Sequence, residues 1–249
     1  MALKTMTQLP RAMLIDMDDT ILSAYGRPEI AWNNVTAEFA DELGSLSSQQ
    51  VAAAIVESGR KFWATAEAAW RLKLEEARHV VVQGGFSALA AKGHAPLSLD
   101  LATRLANRFH AYREEEMFVF PGAHDAIDAL KDLGVKLALV TNGAAGPQRA
   151  KVERFELTHR FDHIQIEGEH GFGKPEERAY HHAMQALGVT APETWMIGDN
   201  LEWEIEVPQR LGIYAIWIDA HGEGLPAGTT VRPDRIIRSL TELLPAERA

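Results

Sequence analysis

The sequence predicts an α/β fold, a doubly wound parallel sheet whose core is split in the chain by an inserted all-helical segment. Two patterns carry that expectation. After Phe118, short apolar runs alternate with amphipathic helical stretches, and strand and helix in alternation give parallel, right-handed crossover units. Between about Pro28 and Met117 the chain is instead Ala-rich, with helical periodicity and few strand candidates, so it reads as a helical bundle set into something else. A third observation concerns function. The polar residues collect directly behind the apolar runs, and ligands of parallel sheets bind outside the carboxyl ends of the strands.

In chain order, the first strand is Ala12-Met13-Leu14-Ile15, which stops abruptly at Asp16-Met17-Asp18-Asp19-Thr20. Acids at i and i+2 on extended chain point to the same side, so Asp16 and Asp18 can face one ligand together. Such a pair needs a cation or a shared proton to coexist. The bland alternative is a solvated loop, or a helix N-terminus capped by Thr20. In the helical insertion, Ser47-Ser48-Gln49-Gln50 matches a capping box; Val51, Ile55 and Val56 then share one face until Gly59 ends the helix. Further helices are expected from Arg60 through Ala77 and from Leu99 through Glu115. Trp32, Trp63 and Trp70 are expected in the core, and Arg60, Lys61, Arg71 and Arg78 on a solvated face.

Pro121-Gly122 opens a helix carrying Ala126, Ile127, Leu130 and Leu133, which Gly134 closes. Val135 to Val140 is a continuous strand that runs into the polar turn Thr141-Asn142-Gly143. A helix near Gln148 to Phe155 and a strand near His163 to Ile166 follow. The next loop ends in Gly171-Phe172-Gly173-Lys174-Pro175, with Pro175 expected in the first turn of the helix that carries Ala179, Tyr180, Ala183, Met184 and Leu187. Trp195-Met196-Ile197 is a strand ending in Gly198-Asp199-Asn200, Ile213 to Ile218 is another, and Arg235-Ile236-Ile237 reads as a short edge strand.

Composition bounds the function. With 249 residues, 46% of them hydrophobic, the chain can bury one large core, or one core and a smaller inserted domain. A net charge of −10 argues against nucleic acid as a standing partner. The absence of cysteine excludes disulfides, thiolate metal sites and cysteine nucleophiles. No apolar run reaches membrane-spanning length and Met1 to Pro10 lacks the features of a secretory leader, so a soluble cytoplasmic protein without a membrane partner is expected.

Four loops, carrying Asp16, Thr141, Lys174 and Asp199, thus converge on one crevice. In these four motifs, the last being Gly198-Asp199-Asn200, the chain resembles the phosphatase branch of the haloacid dehalogenase-like superfamily of hydrolases. The motifs span residues 16 to 204 in the family's order, and the helical insertion resembles the family's C1-type cap. The resemblance implies a Rossmann-like catalytic core over 1–22 and 117–249, with a helical cap over 23–116 that closes over the crevice. It implies Mg²⁺-dependent hydrolysis of a small phosphorylated metabolite, such as a sugar phosphate or a nucleoside monophosphate. Asp16 is then the nucleophile that forms an aspartyl-phosphate, and Asp18 the acid and afterwards the base. Thr141 and the amides of Asn142 and Gly143 hold the phosphoryl oxygens, and Lys174 adds a fixed positive charge. Mg²⁺ is expected on the side chains of Asp16 and Asp199 and on the backbone carbonyl of Asp18.

A lysine near a helix start opposes the helix dipole, which itself suggests an anion beside Lys174. The chain departs from the family pattern at Glu204, where a second Asp is common; Glu202 competes for that place, and Asn200 and Glu204 are expected near the metal rather than on it. Val207-Pro208 replaces the usual small residues and unsettles the local helix. The alternatives are phosphomutase or dehalogenase chemistry on the same fold, or a binding protein without catalysis. Asp18 speaks against dehalogenation, because a departing halide needs no proton. His159 and His163 are spaced i, i+4 and His181-His182 are adjacent, without the acidic pattern of zinc hydrolases. His181 and His182 are expected at the surface, and His170 in a structural role. The oligomeric state is not legible in these residues.

Overall fold

A computed structural model describes residues 9–245. Among these the chain divides into two compact units, one being Ala24–Met117 and the other comprising the residues on either side of it. Strand β1 (Ala12–Ile15) and the two-residue β2 (Leu22–Ser23) come first. The helical unit follows with α1 (Pro28–Ala37), α2 (Ser48–Thr65), α3 (Leu74–Ala91) and α4 (Leu99–Glu116). The chain continues through β3 (Phe118–Val119), α5 (Ala123–Asp132), β4 (Lys136–Thr141), α6 (Ala145–Arg154), β5 (His163–Ile166), the one-turn α7 (Glu167–His170) and α8 (Glu177–Leu187). Then come β6 (Thr194–Gly198), a π-helical turn (Leu201–Glu206), α9 (Val207–Arg210), β7 (Tyr214–Ile218) and β8 (Arg235–Ile237).

The sheet has strand order β5-β4-β1-β6-β7-β8, and every neighbouring pair is parallel. Strand β1 is central, with Leu14 in register with Ala138 on one side and Met196 on the other. All four of its residues are fully buried, as a parallel sheet covered on both faces requires. Period-two alternation places Ala12, Leu14, Ala138, Val140 and Met196 on one face, packed with Tyr180, Ala183, Met184 and Leu187 of α8. Each large side chain buried there contributes roughly 1.5–3 kcal/mol. This is the α/β architecture expected of the alternating pattern, with β8 on an edge as foreseen.

Strands β2 and β3 form a short antiparallel ribbon, Leu22 opposite Val119 and Ser23 opposite Phe118. Runs of two residues carry no periodicity, so nothing in the sequence announced them.

The helical unit corrects several expectations. The capping box at Ser47 and Gln50 is present, but α2 runs straight through Gly59 to Thr65. Gly59 sits inside the helix, and a Cβ there would meet only Cγ1 of Val81 on α3, at the ordinary contact distance of 3.4 Å. The helix expected from Arg60 through Ala77 is divided between the end of α2, a 3-10 turn at Ala68–Leu72 and the start of α3. Trp32 is buried and stacks on Phe109 with ring centres 3.9 Å apart. Trp63 is not core; it is 46% exposed and meets Phe62 edge-on, as half-buried Trp70 also does. Arg60 and Lys61 lie on the solvated face and pair with Glu57. In the sheet unit, α6 starts at Ala145 rather than near Gln148. Pro175 precedes α8 instead of sitting in its first turn, and the Lys174-Pro175 peptide is cis.

Candidate active site

The chain passes from β1 to β4 and β5 on one side of the sheet, then returns to build β6, β7 and β8 on the other. Strand order therefore reverses at β1, and the loops after β1, β4 and β6 are spatial neighbours at the ligand-binding edge. Asp16, Thr141 and Asp199 stand on those three strand ends.

After Ile15 the backbone remains tied to the sheet through Asp16 N, which donates to Ile197 O at 3.0 Å. The chain then turns tightly. Asp19 takes φ 57 and its N–H donates to Leu22 O at 2.6 Å, so the acids lead into β2 and not into a helix. That removes the reading of Thr20 as a helix cap. Thr20 is fully buried, and its hydroxyl has no hydrogen-bond partner among the described residues.

Lys174 is the hub. Its Nζ lies 2.6 Å from Asp16 Oδ1 and 2.7 Å from Glu204 Oε1, and its side chain is only 1% exposed. The loop that delivers it is clamped by Asn142, whose Nδ2 donates to Lys174 O at 2.6 Å while its Oδ1 accepts from Lys174 N at 2.9 Å. Glu204 is held from behind by Asn200 N, which donates to its Oε2 at 2.8 Å. Asn200 in turn caps the π-helical turn, accepting from the amides of Glu202 and Trp203. This turn points Glu204 inward and leaves Glu202 exposed. It is also where Val207-Pro208 takes effect, with Pro208 in the first turn of α9. Gly198 makes room for this arrangement, because a Cβ there would fall 2.1 Å from Glu204 Cγ and displace that side chain.

Asp18 is fixed from α6. Lys151 Nζ lies 2.8 Å from its Oδ1 and 2.9 Å from its Oδ2, and Gln148 Nε2 donates to Oδ2 at 2.9 Å. The same Gln148 amide reaches Thr141 Oγ1 at 2.7 Å and Asn142 O at 2.8 Å, joining the β1 and β4 loops. Gly143, at φ 124, directs its N–H to Glu167 Oε2 at 3.0 Å, so that amide is engaged within the protein. Trp217 Nε1 donates to Asp199 O at 2.6 Å and anchors the β6 loop.

Burial raises Asp16 above the usual carboxylate range against the pull of Lys174, and Asp18 adds repulsion. Glu204 is pushed up to about 7 by burial and by Asp16, again with Lys174 opposing. Burial alone lowers a lysine, yet Asp16 and Glu204 outweigh it and hold Lys174 firmly charged. Asp199 keeps solvent access, and the protein packed around its carboxylate, with Glu204, Asp16 and Asp19 nearby, raises it as well. Mutually repelling acids supplying only oxygen donors fit a hard divalent cation such as Mg²⁺.

Gln148 and Lys151 were missed in the sequence. Their signal is an i, i+3 pair on the helix directly after the Thr141 turn, both buried, and a buried lysine demands a partner.

Fold and site together define a doubly wound α/β protein with an acid and lysine centre at the reversal point of its sheet. The chain belongs to the haloacid dehalogenase-like hydrolases, whose family model matches residues 10–212. It is 35% identical over 162 residues to a phosphoserine phosphatase of Thermus thermophilus, covering 64% of this chain and 62% of that protein. It is 32% identical over 97 residues to a glyceraldehyde 3-phosphate phosphatase of Pyrococcus abyssi, covering 39% and 41%. The chain thus spans less than two thirds of the length of these relatives. Among solved structures, the hydrolase YfnB of Bacillus subtilis, bound to magnesium, is similar with a TM-score of 0.67 and 25% identity over 95% of this chain and 97% of that one. A 2-haloacid dehalogenase of Pseudomonas syringae shares the fold, with a TM-score of 0.56 and 23% identity over 94% and 96%. No helix among the described residues is long and apolar enough to cross a membrane.

Proposed function

We propose that the chain is a Mg²⁺-dependent phosphatase of small phosphomonoesters, acting through an aspartyl-phosphate on Asp16. The observation that supports this most directly is the buried Asp16 carboxylate at the tip of the central strand, with Lys174 Nζ 2.6 Å away. An Asp16 oxygen attacks phosphorus, and the ester oxygen leaves with a proton from Asp18. Asp18, now a carboxylate, takes a proton from water, which attacks the phosphoryl group and returns Asp16 as carboxylate. Lys174 balances charge beside the nucleophile, and Thr141 and Asn142 bound the phosphoryl oxygens. Lys151 and Gln148 hold Asp18 in the orientation this proton traffic needs. Asp16 and Asp199, with the carbonyl of Asp18, would hold Mg²⁺, which when bound offsets the repulsion between carboxylate and phosphate.

The named activities of the relatives suggest the substrates to try: phosphoserine, triose phosphates and pyrimidine nucleotides. A phosphate-release screen over these esters with Mg²⁺, with EDTA and with Asp16→Asn tests the reading. Turnover is expected with Mg²⁺ only, and to fall by at least about a hundredfold in Asp16→Asn. Undiminished hydrolysis by Asp16→Asn rejects the covalent route.

A further inference from the structure

Away from the strand tips, three histidines from separate elements meet. His163 is the first residue of edge strand β5, His170 ends α7, and His182 lies on α8; all three are half-buried. One ring nitrogen of each lies within 4.8 Å of the others. The ring centres are 6.1 Å apart for His163 and His170, 5.4 Å for His163 and His182, and 5.0 Å for His170 and His182. His182 therefore turns inward, contrary to the surface placement expected for it, while its neighbour His181 is exposed.

The hydrogen bonds assign the ring protons. His170 Nδ1 lies 3.1 Å from Ile166 O, and a carbonyl only accepts, so Nδ1 carries the proton and the neutral ring keeps its lone pair on Nε2. His182 Nδ1 lies 2.7 Å from Gln165 Oε1. The Gln165 amide is oriented by its own Nε2, which donates to Ala179 O at 3.0 Å, so its oxygen faces His182 and the same tautomer follows. His163 Nε2 is buried and has no hydrogen-bond partner among the described residues. Second groups that fix one imidazole nitrogen and free the other are what metal-binding histidines characteristically have.

We propose that His163, His170 and His182 form a binding site for a divalent transition metal of the Zn²⁺ type, separate from the oxygen-lined strand-tip site. Three neutral imidazoles select Zn²⁺ and its neighbours over Mg²⁺, and water supplies the fourth ligand. Tetrahedral bonds of about 2.1 Å set nitrogens about 3.4 Å apart, so closing from at most 4.8 Å takes modest side-chain rotation. The ion would tie β5, α7 and α8 together. Because the Lys174 loop runs between His170 and α8, it would brace the segment that delivers the active-site lysine. The competing account is ring packing alone, since Phe172 also meets His170 and His182 edge-on.

Calorimetric titration of untagged, metal-stripped full chain with Zn²⁺ under excess Mg²⁺ separates the two. One equivalent should bind, persist in Asp16→Asn and in the exposed control His159→Gln, and weaken by at least about tenfold in His163→Gln and in His182→Gln. Co²⁺ should give the visible bands of a tetrahedral site in the unaltered protein, a readout that needs no variant. Circular dichroism and metal-free thermal unfolding establish that each variant is folded. No Zn²⁺ binding, binding indifferent to both histidine substitutions, binding lost only with Asp16→Asn, or octahedral Co²⁺ bands would each overturn the proposal.

Discussion

Replacing Lys174 with Met asks whether this lysine holds the strand tips together or only awaits a ligand. Its ammonium serves two carboxylates at once, at 2.6 Å and 2.7 Å, with side-chain exposures of 1% for Lys174, 10% for Asp16 and 1% for Glu204. Methionine keeps the length and removes the charge. Taking one partner from a buried ion pair costs about 3–5 kcal/mol, because the other charge is stranded. Here two acids are stranded, but Glu204, already near 7, absorbs part of the penalty by taking up a proton. A loss of about 3–4 kcal/mol at neutral pH is expected. Adding Glu204→Gln removes one stranded charge and keeps an acceptor for Asn200 N, so the double variant should be about 1–2 kcal/mol more stable than Lys174→Met alone. The assay is urea unfolding of metal-free protein, with the transitions of the two units resolved separately. Phosphate release should be absent in both variants. Lys174→Met within about 0.5 kcal/mol of the parent, or a double variant showing simple addition of the two losses, would refute the reasoning.

Lys151→Met should lower kcat by roughly ten- to a hundredfold with KM little changed, since it frees the Asp18 carboxylate that Lys151 holds; steady-state kinetics checks this, and Asp18→Asn added to it should cost less than Asp18→Asn alone. Gly198→Ala should lower stability by about 1–3 kcal/mol and reduce activity, because the added methyl displaces Glu204; thermal unfolding and the phosphate-release assay read both effects.

Much of the sheet was legible because its strands are short apolar runs broken by chemistry-bearing residues. Ile15 to Asp16 and Gly198 to Asp199 are places where the hydrophobic pattern and the polar pattern change at the same residue, so strand end and site announce each other. Glu204 was visible only as a departure from the family pattern. Its inward aim depends on a π-helical turn whose extra residue shifts side chains relative to ordinary helix spacing. Lys151 was hidden for the opposite reason. On a helix of low overall hydrophobicity it passes for a solvated charge, and only the approach of Asp18, far away in the chain, makes it a buried one. The three histidines sit on a strand, a one-turn helix and a longer helix, and no single periodicity links those positions. Gly59 misled because an isolated glycine lowers helix propensity without having to end the helix, and α2 continues through it to Thr65.

The central place of β1 has a consequence for the order in which the protein is made. Its two neighbours, β4 and β6, are Lys136–Thr141 and Thr194–Gly198, so the strand ending at Asp16 precedes both partners in the chain by more than a hundred residues. Between them comes Ala24–Met117, whose helices pack into a core of their own. Local contacts form fast and distant parallel pairings slowly. The insertion therefore parts the apolar segment Ala12–Ile15 from partners more than a hundred residues downstream, the kind of distant pairing that is slow to form. Premature chain termination before β6 would leave the strand that ends at Asp16 without one of its two neighbours, an unpaired apolar edge that invites aggregation.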